Sequence, residues 1–309
     1  MKIVKSDDKY EFTNKNVVVL GNFDGIHMAH RVIIKQAVQT AKERQLKSLI
    51  YLFDKHPITI LDKSVPGVLT TFEQKIEIIE ELGIDYVYLQ VFDAKFSKME
   101  PLNFIEDILC DKLNSAYIIT GYDYKFGYKA KGDTSYLKEI CNKFNIEVCI
   151  IDRIDYKDQP VSASRIRKLI QEGNMPIANE LLGRKYSICG VVVHGQSLGK
   201  KLGFPTANIE IDPSIQMPAS GVYSTEAIIE NVQYKSVTNI GIKPTVSEET
   251  YNTITCETHI IGYKDLELYG KYIILKFNYM IRKEQKFSNI TELQLAIEND
   301  ILLVKSHDE

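Results

Sequence analysis

The 309-residue chain has few cysteines, no long apolar run and little excess charge. Its five cysteines, Cys110, Cys141, Cys149, Cys189 and Cys256, are odd in number and include no C-x-x-C pair. That speaks against a disulfide framework or a zinc site and for buried, reduced thiols in a cytoplasmic protein. No apolar stretch approaches the roughly 18 residues of a membrane span. Met1 to Tyr10 alternates lysine and aspartate and carries no leader-type apolar stretch. The formal net charge of −3 gives no general attraction to nucleic acid or anionic membrane. Phosphate binding, if present, has to come from local sites, and a small anionic substrate fits better than a polymer. Internal repeats, low-complexity tracts and long linkers are also lacking.

What is present is ordinary globular composition, 44% hydrophobic and 26% charged. At this length two domains are expected. The first half alternates short β-rich runs (Val17–Leu20, Leu49–Phe53, Tyr86–Leu89, Tyr117–Thr120 and Val148–Ile151) with amphipathic stretches such as Phe72–Leu82, which carries Ile76, Ile79 and Leu82. Apolar strands about 30 residues apart, each followed by a helix, predict a Rossmann-like α/β domain with a parallel sheet. After a helical stretch ending near Leu182, the segments Tyr186–His194, Gly221–Ile229, Tyr234–Ile240, Ile254–Ile260 and Tyr272–Ile281 are β-rich, with Gly, Pro and Asn clusters between them. They predict an all-β antiparallel barrel or sandwich. A terminal helix follows, opened by Asn289 and Glu292, with Leu293, Ile297 and Ile301 on one face. The expected domains are residues 1–182 and 183–309.

The first candidate site follows the run Val17–Leu20: Gly21-Asn22-Phe23-Asp24-Gly25-Ile26-His27-Met28-Ala29-His30. This reads as a strand, a glycine turn that lets backbone approach a ligand, and a helix N-terminus suited to an anion. His27 and His30 share a helix face and can donate hydrogen bonds to phosphate oxygens as charge develops in transfer. A metal site is the competing reading, and no third ligand stands at useful spacing. The run resembles the G-x-F-D-G-x-H-x-G-H signature of the adenylyltransferase half of bacterial bifunctional riboflavin kinase/FAD synthetases, and more broadly the H-x-G-H nucleotidyltransferases. Ala29 replaces the glycine of that pattern.

Three later segments carry the same resemblance. Phe53-Asp54-Lys55-His56-Pro57 is similar to F-D-P-H-P, Gly121-Tyr122-Asp123-Tyr124-Lys125-Phe126-Gly127 to G-x-D-F-x-F-G, and Val161-Ser162-Ala163-Ser164-Arg165-Ile166-Arg167 to I-S-S-T-x-I-R, with Ala163 for a serine. All follow strands, at the edge where open α/β sheets bind ligands. The resemblance implies catalysis by His27 and His30. It implies nucleotide and flavin binding by Gly21, Asn22, Phe23, Asp24, Gly25, Asp123, Phe126, Gly127, Ser162, Ser164 and Arg167. Phe126 is a candidate to stack on a flavin or adenine ring or, alternatively, a core residue. The reaction implied is attack of the FMN phosphate on the α-phosphorus of ATP, with pyrophosphate leaving.

The second candidate site is His194-Gly195-Gln196-Ser197-Leu198-Gly199-Lys200-Lys201-Leu202-Gly203-Phe204-Pro205-Thr206-Ala207-Asn208. Three glycines with two lysines make a basic loop suited to nucleotide phosphates. If Ala207 lies in a strand, Thr206 and Asn208 face one side, and their oxygens suit Mg²⁺ holding ATP. The run resembles the riboflavin kinase signature ending in G-x-P-T-A-N. Thr238 to Thr245 resembles A-N-I-G-x-R-P-T, Glu257-Thr258-His259 resembles E-x-H, and Arg282 to Phe287 resembles R-x-E-Q-K-F. The implied catalytic base for the riboflavin 5′-hydroxyl is Glu257. Gly195, Gly199, Lys201, Gly203, Pro205, Thr206, Asn208 and Arg282 are the implied binding residues, with Thr206 and Asn208 on the metal. Arg282 has a second reading, holding the closing segment. Lys200 and Lys243 stand where arginine is usual, keeping the charge and losing the bidentate fork.

Taken together, the motifs imply a nucleotidyltransferase domain, a riboflavin kinase-like barrel and a terminal helix. The implied activity is phosphorylation of riboflavin to FMN, then adenylylation of FMN to FAD. ATP is the co-substrate, Mg²⁺ the cofactor, and riboflavin, FMN, FAD and ATP the small-molecule partners, with neither nucleic acid nor membrane. A homo-oligomer stays open. Another adenylyl- or cytidylyltransferase would share the first motif without the second half. A flavin-binding protein with a decayed site would lack one of His27, His30, Thr206, Asn208 or Glu257, and all are present.

Overall fold

The structure, a computed structural model, describes residues 1–54, 67–195, 199, 202–243, 253–263 and 268–306, with backbone only at 242, 243 and 253. The expected site residue Lys201 lies outside the described residues, as do Lys55-His56-Pro57, Gln196 to Leu198, Lys200 and Pro244-Thr245; the side chain of Lys243 does too.

The chain divides into two units: residues 1–66 with 71–162, and residues 67–70 with 163–309. In the first, the strands are β1 (Lys2–Lys5), β2 (Asn16–Leu20), β3 (Lys47–Phe53), β4 (Tyr86–Gln90), β5 (Ser115–Gly121) and β6 (Glu147–Ile151). They form one parallel sheet in the order β1-β4-β3-β2-β5-β6. Between them run α1 (Met28–Glu43), α2 (Phe72–Glu81), α3 (Pro101–Asn103, continuing as a π-type helix over Phe104–Lys112) and α4 (Thr134–Lys143). Both sheet faces are covered, as apolar parallel strands require. Val18 and Leu20 pack with Tyr51 and Phe104 on one side, while Val17 and Val19 pack with Ile34 and Ile50 on the other. The expected strands and the α2 helix are all present. β1 was not foreseen: of Lys2-Ile3-Val4-Lys5 only Val4 is buried, and an edge strand flanked by lysines leaves no apolar run to read.

Strand order reverses between β2 and β5, with β3 and β4 on one side and β6 on the other. Ligands of open α/β sheets bind outside the carboxyl ends of strands at such a switch point. Thr120 Oγ1 donates to Leu20 O at 3.0 Å and ties the two ends together. The small β7 (Asp155–Tyr156) and β8 (Gln159–Pro160) form a two-stranded hairpin.

The second unit contains α5 (Ala163–Gln171), α6 (Met175–Leu182), six antiparallel strands and a final helix. The strands are β9 (Ser187–Val193), β10 (Ala207–Ile211), β11 (Gly221–Ile229), β12 (Val232–Lys243), β13 (Thr253–Ile260) and β14 (Tyr272–Lys283). They close into a barrel in the order β10-β13-β12-β11-β14-β9, which resolves the barrel-or-sandwich alternative. Its interior is partly polar: Thr225, Ser236, Thr238 and Thr258 are buried and hydrogen-bond one another through hydroxyls at 2.7 to 2.9 Å. The terminal helix α7 (Ile290–Ser306) lays Ile301 and Val304 on Val222 and Val237. Asn289 Oδ1 accepts from Glu292 N at 2.9 Å, while the Glu292 carboxylate accepts from the Ser288 N–H and from Asn289 Nδ2.

Packing places α5 and α6 with the barrel. Asn179 on α6 bridges Phe277 O and Tyr186 N, and Ala219 N donates to Ile170 O. By packing, the chain passes from the first unit to the second at 162/163.

Two candidate catalytic sites

At the end of β2 the chain turns so sharply that Phe23 and Ile26 adopt φ of +49° and +38°. Such values cost a non-glycine residue on the order of 1 kcal/mol or more, and strain of this kind collects at functional sites. The turn folds the fully buried Phe23 ring back over Gly21, where a Cβ would stand 2.9 Å from the ring. Phe23 is thus support for the site: its ring lies 5.1 Å from that of His30. Asp24 is buried and Asn22 exposed, with Gly25 in the turn between them and the helix.

His27 is the N-cap of α1, and its Nδ1 accepts the His30 N–H at 3.4 Å. With Nδ1 turned to that N–H, Nε2 is the ring nitrogen of His27 that can donate. The two imidazoles stack with centroids 3.7 Å apart and planes 14° from parallel. The Nδ1 of His30 is buried without a hydrogen-bond partner. Burial, His27 and Lys75 together hold His30 well below its ordinary 6.5, so the ring is neutral. The two imidazoles thus stand at a helix N-terminus, where anions are favoured.

Lys75 was not singled out from the sequence. It lies on α2, whose start is fixed by a capping box between Thr71 and Gln74. Burial lowers its ammonium, while Asp24 acts in the opposite direction. A lysine inside an amphipathic helix reads as a solvated charge until the fold turns it toward Asp24 and His30.

The other expected residues of this site divide. Asp123 is exposed beyond β5, with Oδ1 beside Gly121. Phe126 is buried: Tyr124 stacks on it at 5.7 Å, and a Cβ on Gly132 would stand 2.8 Å from its ring. The core reading of Phe126 fits this placement, and Gly127 packs against Pro101 beside it. Ser162 belongs to the first unit, whereas Ser164, exposed on α5, and Arg167 belong to the second. Arg167 Nε donates to Gly67 O at 2.7 Å within that second unit.

The second site is assembled across strands. β10 pairs with β13 so that Asn208 stands opposite Glu257, and β12 pairs with β13 so that Asn239 stands opposite the same Glu257. Residues directly opposite share a sheet face. Glu257 therefore sits between two asparagines, while Ala207, Thr258 and Thr238 turn to the buried face. Thr206 precedes β10, two residues from Asn208, as the expected side-by-side arrangement needs. Glycines make room: a Cβ on Gly195 would run into the Asn208 amide, and one on Gly199 would stand 3.0 Å from Thr206 Oγ1. His194 stacks on Tyr269 at 3.9 Å and anchors the start of this loop. Gly203 and Pro205 lie in the segment leading to Thr206. Asn239, quoted in a motif, was not counted among the site residues; only strand register puts it beside Glu257.

Arg282 is engaged by α7. Its Nε and Nη2 donate to the buried Asp300 carboxylate at 2.9 to 3.1 Å. That geometry matches the reading in which it holds the closing segment.

Among the described residues no three His, Cys, Asp or Glu side chains come together as a metal cage. The Thr206 hydroxyl and Asn208 amide, each with a glycine close beside it, instead fit an ion such as Mg²⁺ that takes most of its ligands from phosphates and water. No described helix is long and apolar enough to cross a membrane.

Comparison with known proteins agrees with these two halves. A family model described as FAD synthetase matches residues 9–165, and one described as riboflavin kinase matches residues 182–307. A bifunctional riboflavin kinase/FMN adenylyltransferase of Bacillus subtilis is 34% identical, covering 93% of this chain and 90% of its own. Its counterpart in Escherichia coli K12 is 31% identical over 94% of this chain and 91% of its own. One from Buchnera aphidicola is 35% identical over 99% of both chains. A crystal structure described as a macrolide-efflux protein from Streptococcus pneumoniae shares the fold, with a TM-score of 0.88 at 26% identity, covering 98% of this chain and 99% of that one. The chain belongs to the bifunctional riboflavin kinase/FMN adenylyltransferase family.

Proposed function

We propose that this chain phosphorylates riboflavin to FMN with ATP and then adenylylates FMN to FAD with release of pyrophosphate. Residues 1–182 carry the second reaction and residues 183–309 the first. The observation that carries the reading is the presence, in one chain, of a stacked imidazole pair at a helix N-terminus and a glutamate between two asparagines on a barrel.

In the kinase half, the Glu257 carboxylate accepts the proton of the riboflavin 5′-hydroxyl. The oxygen then attacks the γ-phosphorus of ATP, and ADP leaves. Thr206 and Asn208 would hold Mg²⁺, which when bound neutralises phosphate charge. Gly195, Gly199, Gly203 and Pro205 shape the loop, and Arg282 fastens α7 over the barrel. In the adenylylating half, an FMN phosphate oxygen attacks the α-phosphorus of ATP and the bond to pyrophosphate breaks. The attacking oxygen is already ionised, so no base is needed. His27 donates from Nε2 to the transferring phosphoryl group, and His30 completes the pair as charge develops. Ser162, Ser164 and Arg167 are the proposed triphosphate contacts, and Asp123 is a proposed nucleotide or flavin contact. Small molecules are the partners, with neither nucleic acid nor membrane, and the setting is the cytoplasm.

Incubation of the purified chain with riboflavin, ATP and Mg²⁺, followed by chromatography, should yield both FMN and FAD. Glu257→Ala should stop FMN formation while added FMN is still converted to FAD. The double variant His27→Ala/His30→Ala should do the reverse. Equal loss of both activities in a folded Glu257→Ala protein would overturn the division of labour.

A further inference from the structure

Only the glutamate of the Glu257-Thr258-His259 motif has been given a task, yet His259 is held as firmly. Two residues apart on β13, both side chains leave the same face. The register that sets Asn208 against Glu257 and Ala207 against Thr258 brings His259 level with Thr206, the residue just before the strand. There His259 Nδ1 lies 2.9 Å from Pro205 O. A carbonyl oxygen only accepts, so Nδ1 carries the proton and donates. The ring also meets the edge of Phe204, centroids 6.2 Å apart at 86°.

This contact answers a structural need. Asn208 lies within β10 and is located by its ladders to β9 and β13. Thr206 is outside that strand. Its position depends on the Pro205–Thr206 peptide, whose plane turns with the ψ angle of Pro205. The proline ring locks φ only, and proline offers no N–H of its own. Fixing the carbonyl fixes the plane. On the other side, Gly199 closes on the same segment: Phe204 N donates to Gly199 O at 2.9 Å, and a Cβ there would stand 3.0 Å from Thr206 Oγ1. Two oxygens that share one Mg²⁺ must be placed closely, because that ion tolerates little departure from octahedral geometry.

We infer that His259 is a positioning residue of the kinase half, aligning Thr206 with Asn208 for Mg·ATP through the Pro205 carbonyl. The inference rests on the proposed kinase function and adds a residue to it.

The test compares His259→Asn, whose Nδ2 can replace the Nδ1 donor, with His259→Leu, which has similar bulk and no donor. Mg²⁺-dependent binding of ADP to the resting protein is measured by titration calorimetry, FMN formation is followed against Mg²⁺ and ATP concentration, and conversion of FMN to FAD serves as the control. For His259→Leu, the Mg²⁺ and ATP needed for half-maximal rate should each rise about tenfold, the worth of one aligned hydrogen bond. kcat should move far less, and FAD formation not at all. His259→Asn should stay within about twofold of the parent. If Leu and Asn variants behave alike, the donor has no such role and the inference falls. Should the Leu variant not fold, His259→Gln, with its amide one methylene further out, takes its place, and the same contrast with Asn decides. A parent protein that forms no FMN under any Mg²⁺ concentration would instead remove the kinase reading itself.

Discussion

The two units build their sites in opposite ways. In the first, the chemistry is local: two imidazoles three residues apart, a helix N-terminus and a turn of ten residues supply most of it. Backbone strain at Phe23 and Ile26 aims the groups. In the second, no short stretch contains the site. Asn208, Asn239 and Glu257 meet through strand register, and glycines act by leaving space beside side chains. A local site depends on the turn that holds it, whereas a cross-strand site depends on closure of the whole barrel. Perturbations of packing should therefore reach the kinase half from further away.

The largest effect expected on that basis is on stability. Asp300→Ala leaves the Arg282 guanidinium without its carboxylate, and an unpaired charge at a largely buried position costs about 3–5 kcal/mol. Calorimetry should show the second unit melting earlier while the first keeps its transition. A common shift of both transitions would break the comparison.

Next come the glycines. Gly195→Ala drives a methyl into the Asn208 amide and should lower FMN formation about a hundredfold, with FAD formation from FMN unchanged. Gly21→Ala meets a ring edge at 2.9 Å and should lower FAD formation only about tenfold, because Phe23 can shift by tenths of an ångström. Steady-state rates of the two reactions in each variant check the order. Equal losses would mean that the strained turn is as unforgiving as the barrel.

Legibility followed the same divide. The Gly21–His30 run, the strands around it and the α2 helix could be read because each is a local pattern. The edge strand β1 could not, since its lysines hide a single buried valine. Five of the six barrel strands were legible individually and β10 stood only as a condition on Ala207, while closure and the Asn239–Glu257 pairing depend on contacts between distant residues. Phe126 shows what a motif leaves open: a loop phenylalanine reads as a stacking platform or as core, and the fold sets it among buried residues beside Tyr124 and Gly132. Lys75 shows the converse, a charge on an ordinary helix that only tertiary structure turns inward. Lys75→Met should slow FAD formation about tenfold through the loss of a cation beside the phosphate site, leaving FMN formation intact.

The smallest effect is a pH dependence confined to the first unit. His30 is held below its ordinary 6.5, first by burial, then by His27 and Lys75. The groups acting on it thus come from its own helix and from α2, with Asp24 opposing Lys75 from the turn. As pH falls through 6.5, the unfolded chain takes up a proton that the folded chain refuses. Stability from this group is therefore complete above 6.5 and is lost progressively below it. The loss should amount to about 1 kcal/mol or less by about pH 6, a fall in Tm of roughly 2–4 °C. His30→Asn removes the titrating ring, so the melting temperature of its first unit should vary less over this range than that of the parent. Lys75→Met should fall between the two, because it relieves the weakest of the three influences. Parallel curves for parent and His30→Asn would mean that the imidazole pair is more open to water than its stacked geometry implies, and the contrast with the barrel site would narrow accordingly.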